Sequence, residues 1–398
     1  MSAEANFYRQ GDEMTVDFDG LRQRFPLLAH KTYLNSGSYC ALADSVKQAF
    51  EAYMADRLAV GANWDVWVDK NEAVRARVAR LINAEPDEIA VTASVSAGLN
   101  ALSGALDFTG ERNKVVITDF EFPTAAQIWH AQVPRGAEVV HVRRDADGYI
   151  PVEQFLDVID ERTALVAATQ VCFRNGARLD VGAIGRLAHE RGAKMLVDSY
   201  QAVGSLEIDV RALDVDFLVG GMLKYLLGTA GIGFLYVRKG LIADLVPTNS
   251  GWFAQDDIVA MDITANRPSP TARRFEAGSP AVVNCYAAEA GLNLLLDIGL
   301  DAIAARNRAL SGLLMDRLAA IGWPSVTPRA DARRGTTVAI PSRDAKGLCA
   351  ALMERDIVTS FRDDNVRASF HFYNNEADVD SAINALASLK ARFGPEQE

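Results

Sequence analysis

The chain has 398 residues, too many for one small core and enough for a large unit plus a smaller one. It is 49% hydrophobic and 23% charged, as globular proteins are, and its net charge of -11 argues against a nucleic-acid partner, because phosphate binding wants a basic face. No apolar stretch approaches membrane-spanning length, and the four cysteines (Cys40, Cys172, Cys285, Cys349) are too scattered for a disulfide framework or a zinc site, so no membrane and no metal are expected.

Residues 1–20 are polar and read as an N-terminal arm; they lack the basic-then-apolar pattern of a signal peptide, and with reduced cysteines this points to the cytoplasm. The run EAVRARVARLIN (72–83) places Val74, Val78 and Leu81 on one helical face. Glu85-Pro86-Asp87 turns the chain into the short strand IAVTA, and Ser94 or Ser96 can cap the helix SAGLNALSGAL that follows. Apolar runs at 115–118, 138–142, 164–169, 194–199 and 216–221 read as strands, with a helix at 181–192 and a further buried strand within 231–240. Apolar strands alternating with helices predict a mostly parallel α/β sheet covered on both faces, the large unit at 21–268. After about Pro268 the pattern changes. Helices at 281–298 and 300–320 precede TTVAIP, a helix near 344–354, the strands IVTSF and VRASFHF, and a final helix to about 392. This mixture predicts a smaller α+β unit at 269–398, to which the N-terminal segment can contribute.

The chemistry concentrates between residues 195 and 240. Asp198 sits at the C-terminal end of an apolar strand, where α/β sheets place their ligands, and Gln201 follows three residues later. Lys224 follows a second apolar strand in a nearly uncharged stretch, with GTAGIG behind it for close backbone approach. Flanked by Leu223 and Tyr225, its amine should be partly desolvated, which lowers its pKa and makes it nucleophilic. Alone, an Asp at a strand end is often a helix cap and a Lys is often solvated; the conjunction carries the functional reading.

The segments YLNSGSY, AEPDEIAVTASVSAGLN, DVDFLVGGMLKYLLGTAGIGFLYVRKG, RRFEAGSP and VRASFHFYNNEADVD resemble the class V aminotransferase family. That family includes cysteine desulfurases, selenocysteine lyases, kynureninases and isopenicillin-N-epimerase-like proteins, and the similarity runs from about Tyr33 to Leu389. The resemblance implies the PLP-dependent transferase fold (aspartate-aminotransferase fold type I) and a homodimer with shared active sites. It implies that Lys224 carries pyridoxal 5'-phosphate (PLP) as a Schiff base and then moves the Cα proton of an amino-acid substrate. Asp198 would keep the pyridine nitrogen protonated, and Gln201 would hydrogen-bond the phenolic oxygen. Phe122, in EFPT, takes the place of a ring stacked on the pyridine, where many relatives have His and kynureninases Phe; core packing is the plainer alternative. Val95 and Ser96 match the phosphate-binding pair at a helix N-terminus. Gly278 and Ser279 match a Gly-Thr pair that reaches the phosphate from the neighbouring subunit, unless Ser279 only turns the chain before Pro280. Arg367, in VRAS, matches the arginine that clamps the substrate's α-carboxylate, and Asn35 and Gly37 match the loop at the substrate mouth. Asn175, in FRNG, falls two positions after the family's asparagine, where Phe173 stands. Relatives also have Ser three residues before the lysine and His directly before it. This chain has Gly221 and Leu223, and Tyr200, Tyr225 or Thr229 are candidates to replace those phosphate contacts.

The reaction is narrowed but left open. IVTSFRDDNVRAS has no cysteine on a loop before Arg367, and Cys349 falls on a predicted helix, which disfavours persulfide-forming desulfurase chemistry. Transamination and a cysteine- or selenocysteine-lyase-type β-elimination without persulfide remain. So do kynureninase-like Cβ–Cγ hydrolysis, with Trp252 and Phe253 lining an aromatic pocket, and epimerisation, with His371 or Tyr373 as a second acid/base. A non-catalytic binding module fits less well, because Lys224, Asp198 and Arg367 are all present and no basic helix-turn-helix accompanies them. A Rossmann dehydrogenase lacks its GxGxxG.

Overall fold

A computed structural model describes residues 7–10 and 13–395; the rest of the expected N-terminal arm lies outside the described residues. The chain opens with the antiparallel hairpin β1 (Phe7–Gln10) and β2 (Glu13–Val16), then α1 (Phe18–Arg22) and the short β3 (Thr32–Tyr33). Two long helices follow, α2 (Asp44–Val60) and α3 (Trp64–Leu81). Only Val46 of α2 is buried, so no apolar stripe betrayed this helix in the sequence; α3 starts eight residues before the predicted run because Trp64 and Trp67 begin its apolar face.

The central body then alternates strands and helices: β4 (Ile89–Thr92), α4 (Val95–Ala105), β5 (Lys114–Thr118), α5 (Pro123–His130), β6 (Glu138–Val142), β7 (Thr163–Thr169), α6 (Val181–Glu190), β8 (Lys194–Asp198), β9 (Phe217–Gly221), β10 (Gly233–Val237) and α7 (Lys239–Ile242). The seven strands form one sheet in the order β4-β10-β9-β8-β7-β5-β6. Pairing is parallel from β9 through β8, β7 and β5 to β6, whereas β10 runs antiparallel to both β9 and β4. Strands β5, β9 and β10 are buried at every position, as expected of a sheet covered on both faces, and this produces their continuous apolar runs. The direction of β10 was not legible, since a fully buried strand reads alike in either orientation.

Two long helices, α8 (Val282–Ile298) and α9 (Leu300–Ala320), lead into β11 (Thr337–Pro341), α10 (Ala345–Met353), β12 (Ile357–Val358), β13 (Ser360–Arg362), β14 (Asn365–Ser369) and α11 (Glu376–Phe393). Strands β11, β14 and β13 form an antiparallel sheet, whose core joins Leu310, Leu314, Trp323, Val338, Ile340, Val366 and Leu386 with the helices beside it. The predicted strand IVTSF divides at Thr359: β12 pairs with β3, while β13 pairs with β14. The expected strand VRASFHF stops at Ser369, because His371 N–H donates to Asn374 Oδ1 and turns the chain toward α11, which Asn375 caps. We propose a division into a larger and a smaller unit at about residue 268. The ion pairs of Glu289 on α8 with Lys70 and Arg77 on α3 span that division.

One consequence positions the site. Segments that follow β4, β5, β7, β8 and β9 collect along one edge of the sheet, outside the carboxyl ends of the parallel strands, and the small sheet's β13–β14 hairpin faces them.

Candidate functional site

A cavity of about 330 Å³ opens at that edge, within the range of small-molecule sites. Its wall carries Gly37, Val95, Ser96, Phe122, Asp198, Tyr200, Gln201, Lys224 and Arg367, nine of the residues singled out from sequence, together with Ser38, Thr169, Phe173, Leu223 and Arg362.

Lys224 stands on the turn after β9. Leu227 N–H donates to Lys224 O at 3.2 Å and Gly228 N–H to Met222 O at 2.8 Å, and Leu227 takes a left-handed φ of 59°. A buried leucine in that conformation costs about 1–3 kcal/mol and persists only where its surroundings impose it. Cys40 N–H donates to Leu223 O at 3.0 Å, so the N-terminal loop clamps the same turn. The Lys224 ammonium lies 4.1 Å from the Tyr200 ring centre and 5.8 Å from that of Phe122. Burial pushes its pKa down to about 8; Asp198 opposes the shift, and Arg367 and Arg362 add to it.

Asp198 ends β8, where its Oδ1 accepts from Tyr200 N–H at 2.9 Å and its Oδ2 has no partner among the described residues. Burial raises its pKa, against the pull of the Tyr200 N–H and Lys224. Next to it Gln201 donates from Nε2 to Gly37 O at 2.9 Å, and its buried Oε1 has no partner among the described residues. A Cβ on Gly37 would stand 2.6 Å from Ser369 Oγ, which explains the glycine at this crossing.

Another part of the wall is backbone. Ser94, rather than Ser96, caps α4 by accepting from Ala97 N–H at 3.0 Å, and the N–H groups of Val95 and Ser96 find no partner among the described residues. Gly221 faces this end. A Cβ there would lie 2.4 Å from Tyr200 Cζ and 2.5 Å from its hydroxyl oxygen, so the glycine makes room for the tyrosine ring. Of the three candidates to replace the absent Ser and His, Tyr200 alone lines the cavity. The Tyr225 hydroxyl accepts from Thr336 Oγ1 at 2.8 Å in the core, and Thr229 Oγ1 bonds Tyr39 OH at 2.8 Å.

Phe122 precedes Pro123 at the start of α5 and is 43% exposed, which rules out plain core packing. Its ring meets Phe173 edge-on at 5.1 Å. Arg367 is 2% exposed, donating to Phe173 O at 2.6 Å, Ser38 Oγ at 2.9 Å and Ser360 Oγ at 2.8 Å, while its Nε–H has no partner among the described residues. Burial first and Arg362 second push its pKa down to about 10, and it has no carboxylate partner among the described residues. A buried guanidinium without an anion is costly unless a ligand supplies one.

Other predicted residues lie elsewhere. Asn175 does not line the cavity: its Nδ2 donates to Gly148 O at 2.8 Å and its Oδ1 accepts from Ala177 N–H at 3.0 Å, so it braces the turn at Gly176, whose φ is +73°. Gly278 and Ser279 border a neighbouring cavity of about 90 Å³ beside Val91–Ala93 and Ala97. Asn35 does not line the cavity; it is bridged to Ser369, with a buried Oδ1 that lacks a partner among the described residues. His371 and Tyr373 are sealed in the core. His371 Nε2 meets Tyr225 O at 3.0 Å, and burial drives its pKa to about 4; Tyr373 OH meets Ser36 Oγ at 2.6 Å. Neither can act as a second acid/base at this cavity. Trp252 packs edge-on against Trp64 and Phe253, away from the cavity, and none of the four cysteines lines it. Burial raises the Cys349 pKa, which keeps it a thiol.

Sequence reasoning missed Glu121, Thr169 and Arg362. Glu121 is buried three residues after β5, where its Oε1 accepts from Thr118 Oγ1 and Thr169 N–H, both at 2.9 Å. Burial first and the nearby Asp198 second push its pKa up to about 8. Thr169 is the strand partner of Asp198 and has a buried Oγ1 without a partner among the described residues. Its place opposite Asp198 at a strand end was the signal available.

The description Aminotransferase class-V, a family model, matches residues 62–381. The uncharacterised aminotransferase YcbU of Bacillus subtilis (strain 168) is 34% identical over 367 residues, 92% of this chain and 96% of that protein. A kynureninase of Deinococcus radiodurans is 32% identical over 335 residues, 81% of this chain and 79% of its own. The apo cysteine desulfurase of Thermococcus onnurineus NA1 shares the fold, with a TM-score of 0.85 over 95% of this chain and 98% of that one at 24% identity. Three relatives bear the names of three reactions, so the similarity reaches the family and the fold and stops short of the reaction.

Proposed function

Because the chain belongs to the class V aminotransferase family of PLP-dependent enzymes, we propose that it binds PLP at the Lys224 cavity and removes the Cα proton of a small α-amino acid, with transamination as the overall reaction. The fold is the type I architecture expected for such enzymes.

Unpartnered groups on the cavity wall fit the cofactor. The free N–H groups of Val95 and Ser96 suit a phosphate at the α4 N-terminus, and the Tyr200 hydroxyl lines the same cavity. Asp198 Oδ2 suits a protonated pyridine nitrogen, the second Nε2 hydrogen of Gln201 suits a phenolic oxygen, and the exposed Phe122 ring suits stacking. When bound, PLP supplies an electron sink for the charge left on the substrate Cα.

The single observation that carries the reading is the position of Lys224. Its desolvated amine shares a cavity with a buried Arg367 that lacks an anion, and with Asp198 on the neighbouring strand end. Arg367 would hold the α-carboxylate and so orient the Cα–H bond toward Lys224 Nζ, which takes the proton. Transamination needs only this base and this clamp. The sealed His371 and Tyr373 remove support from epimerisation, and the placement of Trp252 and Phe253 removes the aromatic pocket invoked for Cβ–Cγ hydrolysis. β-Elimination uses the same base and is the second reading, favoured by the absence of any cysteine from the cavity wall, which leaves a lyase without a persulfide carrier.

We further propose a cytoplasmic homodimer. Helix α2 leaves Met54, Leu58 and Val60 exposed at 60%, 87% and 62%, an apolar face that a second copy would cover. Gly278 and Ser279 lie outside this chain's own Lys224 cavity, consistent with a role toward a neighbouring subunit's phosphate. Among the described residues no helix is long and apolar enough to cross a membrane.

The test is an amino-acid screen on PLP-loaded protein that follows the cofactor spectrum and identifies the product. A keto acid with pyridoxamine phosphate is expected. Pyruvate or alanine with a released leaving group would establish the lyase reading instead, and no spectral response to any amino acid would return the chain to a binding role.

A further inference from the structure

The β13–β14 hairpin delivers two guanidinium groups to the cavity. Ser360 is the strand partner of Arg367 and accepts its hydrogen bond, so that face of β13 looks into the site. Side chains two apart on a strand share a face, which places Arg362 on the Ser360 side, and it lines the same cavity. The hairpin tip is anchored, since Arg174 holds both carboxylate oxygens of Asp363 at 2.5 and 2.7 Å. Arg362 itself donates to the adjacent Phe361 O at 2.6 Å and forms no ion pair among the described residues. Its neighbouring acid, Asp363, is engaged by Arg174.

The two arginines differ in depth. Arg367 is buried and held by three hydrogen bonds, whereas Arg362 is exposed at the cavity mouth. Cationic side chains on the wall are Lys224, Arg362 and Arg367, against one ionisable acid, Asp198. At the opposite end, the cofactor phosphate would have the α4 backbone. One substrate carboxylate on Arg367 would still leave Arg362 facing the site without an anion. Phe122, Phe173 and Leu223 give the wall an apolar stretch that suits a short aliphatic spacer.

We propose that Arg362 is a specificity residue that pairs with a second, distal carboxylate, so that the preferred substrates are amino-dicarboxylic acids. The inference rests on the proposed PLP function and names the substrate class for that site. A guanidinium–carboxylate pair is the charge-assisted kind, and the uncharged amide of the same shape forfeits it.

The experiment titrates PLP-loaded protein with L-aspartate, L-glutamate, L-asparagine and L-glutamine, following the cofactor spectrum, for the wild type and for Arg362→Gln and Arg362→Lys. The acid of one pair should bind about tenfold or more tightly than its amide in the wild type. The acid-to-amide ratio should collapse toward one in Arg362→Gln and be partly retained in Arg362→Lys. A retained chromophore shows that each variant is folded. Equal binding of acids and amides by the wild type would overturn the proposal, as would an Arg362→Gln variant that weakens both by the same factor, which would make Arg362 a second clamp on the α-carboxylate. A wild-type chain that takes up no PLP would overturn the underlying function instead, and is told apart by the missing chromophore.

Discussion

The two ends of the Lys224 cavity are built on different principles. The α4 end is made of rigid parts: free backbone N–H groups at a helix start, a capping Ser94 and a tyrosine ring set into the space of a missing side chain at Gly221. The hairpin end is made of long charged side chains, Arg367 buried and pinned, Arg362 exposed. Backbone dipoles and hydroxyls suit a group that stays, whereas guanidinium groups without partners suit anions that come and go. Lys224 stands between them, and the turn that holds it is strained at Leu227 and clamped by the N-terminal loop. The comparison suggests that cofactor retention and substrate choice can be altered separately.

The largest effect tests the group both ends share. Lys224→Ala should lose the lysine-bound cofactor absorption completely, with no borohydride-sensitive band, and an unchanged spectrum would remove the centre of the assignment. Next, Arg367→Ala should leave that absorption in place while lowering kcat/KM by about 2–5 kcal/mol, the cost of truncating one partner of a buried, hydrogen-bonded charge pair. An equal loss of cofactor binding in that variant would erase the distinction between the two ends.

A pH series sharpens the picture at the lysine. Its pKa lies near 8, so the amine is protonated and unreactive below that pH and free above it. The rate at which apoprotein takes up PLP should therefore fall about tenfold per pH unit below 8 and level off above it, as stopped-flow absorbance would record. The smallest effects belong to the α4 end. Tyr200→Phe removes one hydroxyl and should weaken PLP retention by about 0.5–1.5 kcal/mol, measured by dialysis against buffer. Gly221→Ser restores the hydroxyl that relatives carry but drives a Cβ into the Tyr200 ring, so it should weaken retention too, and paired with Tyr200→Ala it should recover. Recovery of Gly221→Ser alone would show that the ring is not the occupant that matters.

How far the site was legible depends on the distance along the chain over which each feature is decided. Asp198, Gln201 and Lys224 could be read because they follow apolar strands directly, and a strand end in an α/β sheet is a ligand-facing place by construction. A cap at Ser94 or Ser96 could be read for the same local reason, at a helix start, whereas Phe122 was read from the family resemblance. Glu121 could not, because what matters is that β5 and β7 are neighbours, a fact of sheet order. Asn175, His371, Tyr373 and Trp252 carried the right chemistry in the right segments and turned away from the cavity, each because a nearby backbone group or ring claimed it first. The exposed α2 offered no periodicity to read at all.

By itself, the sequence determined most strands and helices of the central body and put Asp198 and Lys224 just after apolar strands, because these follow from local apolar runs and the residues that end them. Tertiary structure alone decided that β10 runs backwards, that Gly221 yields its space to Tyr200, and that one hairpin turns two arginines into the same cavity. Each of those depends on strand register and on contacts between segments far apart in the chain, where the energy of packing and of buried charge, rather than local preference, selects the arrangement.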